Sequence, residues 1–121
     1  MDTTTHSFPH RKLDAWRIAK QARRLTLELV ATLPRGFGKD ASQLRSSSGS
    51  VIRLIAEGAD RYARGDKRRR FEEANGEVGE TVACLDDLAD LGALDRDRVE
   101  VVIGLYGRVG AMLVGLIRRF Q

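Results

Sequence analysis

Six cations fall within ten residues at Arg61, Arg64, Lys67, Arg68, Arg69 and Arg70, and one aromatic, Tyr62, stands among them. Groups of this kind are chemistry for oxyanions. Arg grips phosphate oxygens with a rigid fork of N–H donors, Lys neutralises as a point charge, and a tyrosine ring offers a face for stacking on a base. Arg17, Lys20 and Arg24 follow at steps of three and four, which puts a second set of cations on one face of a helix. Contacts of this type read backbone charge and shape, so a polyanion held by them is expected to bind with steep salt dependence. The competing use of the same groups is ion pairing. Residues 61–70 carry a net charge of +5, and residues 72–90 hold seven acids (Glu72, Glu73, Glu77, Glu80, Asp86, Asp87 and Asp90) and no base, a natural counterpart across subunits.

Other reactive side chains do not form a catalytic set. His6 and His10 lie in a polar leader, where a disordered or tag-like role is expected rather than a ligand role. No Glu-x-x-His pair offers the bundle type of di-metal site. Cys84 has no His near it in sequence and falls in an acidic segment, which raises a thiol pKa rather than lowering it. GFGKDAS, Gly36 to Ser42, lacks the spacing of a phosphate-binding Walker loop and reads as a turn between helices. The glutamates of residues 72–80 read as a solvated or ion-paired face, and Glu57 as a carboxylate that caps or bridges a helix end. No cofactor, metal or enzymatic activity is expected.

The chain of 121 residues is the size of one domain. Its net charge of +4 and pI near 9.7 favour polyanionic partners. The charge is uneven: residues 1–70 carry 16 Lys or Arg against 7 acids, so the chain is a dipole in sequence. One cysteine excludes an intrachain disulfide and fits a reducing compartment, and MDTTTHSFPH lacks the basic and apolar regions of a signal peptide. With no apolar run of the roughly 18 residues that span a bilayer, the expected location is cytoplasmic, with no membrane partner.

Four segments of helical period position these groups. The first carries Leu13, Ile18, Ala22, Leu25, Leu29 and Leu33 and stops at Pro34 and Gly36. The second opens near Asp40 as N-cap, places Ala41, Leu44, Ser48, Val51 and Ile55 on a stripe, and closes at Gly58 and a turn around Gly65. SSSGS, Ser46 to Ser50, falls inside that stripe and reads as small residues on a packed helix. The third carries Phe71, Ala74, Val78, Thr81, Leu85 and Leu88, with Gly92 as C-terminal cap. The fourth begins after Asp95 or Asp97 and carries Val99, Val102, Tyr106, Val109, Leu113, Leu116 and Phe120, with Asp97 and Glu100 at capping-box spacing. Helices one, three and four are expected to be longest. Several internal glycines (Gly49, Gly76, Gly79, Gly104, Gly107, Gly110, Gly115) are expected to mark close helix approach. The expected fold is all-α, an antiparallel up-down four-helix bundle over residues 11–121, behind a polar leader of residues 1–10.

QLRSSSGSVIRLIAEGADRYARGDKRRRF, Gln43 to Phe71, resembles the core signature of the four-helix-bundle proteins named for intervening sequences in 23S ribosomal RNA genes. Gln43, Leu44, Arg45, Ser50, Ile55, Ala56, Glu57, Gly58, Tyr62, Arg64, Lys67 and Phe71 match it in order. LDAWRIA, Leu13 to Ala19, ANGEVGET, Ala74 to Thr81, and GRVGAMLVGLI, Gly107 to Ile117, extend the likeness over residues 11–120. The chain departs where that family commonly has proline and asparagine, carrying Ile52 and Leu54 instead.

The resemblance implies a bundle that forms a homopentamer, and it extends to the accessory variability determinant of diversity-generating retroelements, a basic pentamer that binds nucleic acid and a reverse transcriptase. It supplies no catalytic residues. The resulting expectation is a non-enzymatic oligomer that binds RNA or DNA through Arg61, Tyr62, Arg64, Lys67, Arg68, Arg69, Arg70, Arg17, Lys20 and Arg24, with a reverse transcriptase as a further partner. The alternative is a homo-oligomeric protein scaffold with no nucleic-acid role. A charge titration in salt separates the two.

Overall fold

The computed structural model describes residues 8–121, and His6, with most of the polar leader, lies outside them. A 3-10 turn, Pro9–Lys12, leads into four helices: α1 (Asp14–Val30), α2 (Gly38–Asp60), α3 (Arg64–Asp90) and α4 (Arg96–Arg119). Among the described residues there is no strand. Each helix packs on the next, and α4 closes the bundle against α1.

The α3 stripe is the clearest case of sequence becoming core. Its buried residues are Phe71, Ala74, Val78, Thr81, Leu85 and Leu88, the same six that the three-four spacing selects. In α4, Val99, Val102, Tyr106, Val109 and Leu113 are buried as expected, while Leu116 and Phe120 are half-buried at its end. The seam of α1 differs from expectation. Ala15, Ala19, Ala22, Thr26 and Leu29 line it, whereas Leu13, Ile18, Leu25 and Leu33 pack at its edges. Alanines at the seam let neighbouring helices approach, and the larger side chains then cover the flanks.

The helix ends also correct several expectations. α2 begins at Gly38 after Phe37, so Asp40 sits in the first turn, where a carboxylate complements the helix dipole, rather than at the cap. Asp95 caps α4, its side chain accepting from the Arg98 backbone N–H at 2.9 Å, so the pair Asp97 and Glu100 is not the capping box. α1, with 17 residues, is the shortest helix, not one of the longest, because Pro34 and Gly36 end it early. Gly36 (φ +95°) and Gly92 (φ +75°) take the left-handed conformation that turns the chain after α1 and α3.

Two buried hydroxyl pairs fix the bundle's register. Thr26 of α1 and Tyr106 of α4 are 2.8 Å apart, and Thr81 of α3 donates to Ser47 of α2 at 2.8 Å. Among the described residues no buried side-chain polar atom lacks a partner. Each such bond contributes about 1 kcal/mol net, but leaving one partner alone in the core costs more, so slipped packings are disfavoured. Burial pushes the Tyr106 hydroxyl up to about 12, against the opposing pull of the Thr26 bond and of Arg23.

Two expectations about the surface fail. Of the seven internal glycines, Gly76, Gly79, Gly104, Gly107 and Gly115 face open space, and Gly110 has only ordinary contact with Asn75. Of the seven only Gly49 is crowded, by Arg53 and by Arg23 of α1, and Gly58, outside that set, is crowded by Phe71. α4 is also long and apolar enough to cross a membrane by length and composition, contrary to the expectation that no segment would qualify. The reason is its outward face, where Val101, Gly104, Gly107, Ala111 and Val114 are exposed in place of charges.

Candidate nucleic-acid interface

The cationic segment is not an interhelical turn. Only Arg61, Tyr62 and Ala63 lie between α2 and α3, and residues 64–70 form the first two turns of α3. Lys and Arg are good helix formers, Ala63 is extended at the cap position, and Asp66 places one acid in the first turn. Gly65 is thus tolerated inside a helix, and Phe71 lies two turns into α3 rather than at its start.

Intramolecular ties claim part of the cluster. Lys67 Nζ donates to the carbonyls of Gly58 (3.0 Å) and Ala59 (2.8 Å), closing the C-terminus of α2. Its pKa is lowered mainly by burial, with Asp60 opposing that and Arg119 adding to it. Arg64 donates to the Arg119 carbonyl at 2.6 Å and lies over the Phe120 ring. Arg70 pairs with Glu73 (3.0 Å) and Glu57 (3.7 Å), so Glu57 bridges α2 to α3. Arg68 approaches Glu72 at 3.9 Å on an exposed face, a contact of little energy. Arg61 and Arg69 are exposed and make no ion pair among the described residues, and Tyr62 is fully exposed.

These contacts bring the end of α2, the start of α3 and the end of α4 together. The start of α1 joins them: His10 lies 3.3 Å from Asp60 and meets the Trp16 ring edge-on. His10 is therefore packed in the 3-10 turn, contrary to the tag-like role expected of it, because a T-shaped aromatic contact and a carboxylate at the end of α2 both hold the ring. Arg11, Lys12, Arg17, Arg118 and Arg119 are exposed at this same end. The end of α3 and the start of α4 are rich in acids. There Arg96 binds Asp86 (2.9 Å), Asp90 and Glu100 (3.3 Å), and Asp87, Asp95 and Asp97 are exposed.

The second cationic set is exposed along α1 as the helical spacing predicts. Arg17 bonds Asp14 and the Arg11 carbonyl, and Lys20 sits over the Trp16 ring. Lys20 and Arg24 line a groove of about 200 Å³ between α1 and α2, with Arg23, Leu27 and Ile52. Arg23 belongs to this face, as does Arg53 on α2, and sequence reasoning passed over both. They lie thirty residues apart, and only the packing of α2 on α1 joins them.

The remaining candidates behave structurally. Cys84 is partly buried, and burial, then Asp40 and Asp87, push its thiol pKa up, away from a nucleophile. Glu77 is also raised, first by a hydrogen bond with Glu80 and then by burial. No cluster of three or more potential metal ligands occurs among the described residues.

A search of curated proteins returned no match. A family model for the 23S rRNA-intervening sequence proteins matches residues 11–115, which include the first three core stripes, the fourth as far as Leu113, the I-A-E-G element at Ile55 to Gly58 and both cationic sets. In this structure that element acquires a physical meaning, since a Cβ at Gly58 would stand 2.7 Å from the ring of Phe71. The chain belongs to the 23S rRNA-intervening sequence protein family.

Proposed function

We propose that this is a non-enzymatic, self-assembling cytoplasmic protein that binds the phosphate backbone of RNA or DNA by charge and shape. The observation that carries the reading is the unpaired cationic surface at one end of the bundle. Arg61 stands exposed beside Tyr62, where the positive end of the α3 dipole adds to its field, and Arg69 is exposed in the second turn of α3. Lys20 and Arg24, and Arg17 with its exposed partner Asp14, continue the cationic surface along α1. Tyr62 is placed to stack on an unpaired base, and phosphate contacts supply the affinity.

The assembly belongs to the same reading. The four helices alternate up and down, supported by the contacts of Lys67 with Gly58 and of Arg64 with Arg119, each joining the start of one helix to the end of another. Copies form a ring, five in number by the family resemblance, supported by the apolar outward face of α4. In a ring each cationic patch is repeated, and modest contacts gain affinity through effective concentration. A reverse transcriptase of a diversity-generating retroelement is the protein partner in this reading.

Titrating salt against binding of a structured RNA and of duplex DNA tests the reading. Phosphate contacts predict log K falling linearly with log salt, by about 0.9 per contact on duplex DNA and about 0.7 on single strands. Absence of binding at low salt contradicts it. Light scattering tests assembly, and a monomer mass contradicts the ring.

A further inference from the structure

Halfway along α2, Gly49 leaves a gap in the helix surface, and two guanidinium groups from different helices converge on it. A Cβ built at Gly49 would stand 2.8 Å from Arg53 Nη1 and 3.2 Å from Arg23 Nη2. Arg53 comes from the next turn of α2 and Arg23 from α1. Like charges drawn to one point repel, and the usual remedy is a carboxylate between them. Here neither arginine forms an ion pair among the described residues.

Hydroxyl groups hold them instead. Arg23 Nε donates to Ser48 Oγ at 3.4 Å, and Arg53 Nη2 donates to Ser50 Oγ at 3.3 Å. Neutral acceptors orient a guanidinium without cancelling its charge. Glu77 of α3 also reaches Ser50 and makes no ion pair with Arg53. Arg23 also lines the groove between α1 and α2, where Lys20 and Arg24 add two cations and Leu27 and Ile52 supply apolar walls. Two forks that meet over Gly49, held only by neutral hydroxyls, with Lys20 and Arg24 beside Arg23 and no acid lining the groove, present the outward donors that a tetrahedral oxyanion needs.

We propose that this notch is a phosphate site, gripped by Arg23 and Arg53 and flanked by Lys20 and Arg24, and that it is the principal backbone contact of the polyanion. The second half of this inference rests on the nucleic-acid reading above, whereas the first half does not.

Gly49→Ala is the sharpest variant, because it removes no charge. The new methyl would displace two flexible side-chain ends rather than backbone, and Ala is the better helix former, so the fold is expected to keep or raise its Tm. Inorganic phosphate titrated into the wild-type chain at low ionic strength is expected to shift the Nε–H resonances of Arg23 and Arg53 saturably. Gly49→Ala and Arg53→Gln are each expected to weaken that binding by roughly tenfold, the worth of one bidentate contact, with Arg98→Ala, an exposed change at the start of α4, leaving it unchanged. Non-saturating shifts, or equal affinity in wild type and Gly49→Ala, overturn the site. A second arm uses a short RNA hairpin. Saturable phosphate binding with no RNA binding upholds the notch as a small-anion site and overturns the nucleic-acid role. RNA binding that neither Gly49→Ala nor Arg53→Gln weakens overturns the notch as principal contact and leaves the nucleic-acid role intact.

Discussion

Gly49 and Gly58 lie nine residues apart on the same helix, and neither has room for a Cβ. What crowds them differs. At Gly58 the neighbour is the Phe71 ring, itself stacked on Phe120, and the cations of that end are largely tied: Lys67 to the α2 terminus, Arg64 to the α4 terminus, Arg70 to Glu57 and Glu73. At Gly49 the neighbours are two guanidinium groups with no carboxylate partner. Density of charge along the chain therefore misjudges availability. The most basic stretch of the sequence does much of its work inside the bundle, whereas the sparser α1–α2 face leaves its cations to solvent.

Stability measurements sharpen this contrast most strongly. Phe71→Ala is expected to cost about 3–5 kcal/mol in chemical denaturation, the loss of a buried ring and the cavity it leaves. Gly58→Ala should cost about 1–3 kcal/mol by overpacking against that ring, while Gly49→Ala is neutral or stabilising. Equal effects at the two glycines would break the comparison.

Next in size is the alkaline limit of the fold. Unfolded tyrosine ionises near pH 10, and Tyr106 in the bundle only at about 12, so the native state favours the protonated form. Its contribution is complete below pH 10 and is lost as pH rises from 10 to 12, to a total of about 2–3 kcal/mol. Denaturation midpoints across that range should fall in the wild type and fall less in Tyr106→Phe. Smaller again is Lys67→Ala, which frees the Gly58 and Ala59 carbonyls and should cost about 1–2 kcal/mol. Arg69→Ala, an exposed change in the same cluster, should stay within about 0.5 kcal/mol. A larger loss at Arg69 than at Lys67 would mean that the tied and untied cations have been exchanged.

The α3 stripe was legible because its six core positions repeat at helical spacing with aliphatic or aromatic side chains that have one place to go. The α1 seam was not, because alanines carry little hydrophobic signal and the neighbouring helices choose the face. Gly65 and Asp66 resemble a turn in sequence, yet the carbonyls at the ends of α2 and α4 give Lys67 and Arg64 reasons to sit on a helix. As for the candidate site, the exposure of Arg17, Lys20 and Arg24 follows from periodicity alone. Convergence of Arg23 and Arg53 does not, since it arises only when α1 packs beside Gly49.

The most direct test compares two paired variants by the salt dependence of RNA binding. Arg23→Gln with Arg53→Gln removes the untied pair, and Arg70→Gln with Arg96→Gln removes a tied pair of equal charge, each of them held by carboxylates. The first should flatten the slope of log K against log salt by about 1.4 and the second should leave it nearly unchanged. A slope flattened by the tied pair and untouched by the untied pair would contradict the claim that binding runs through the cations the bundle leaves unpaired.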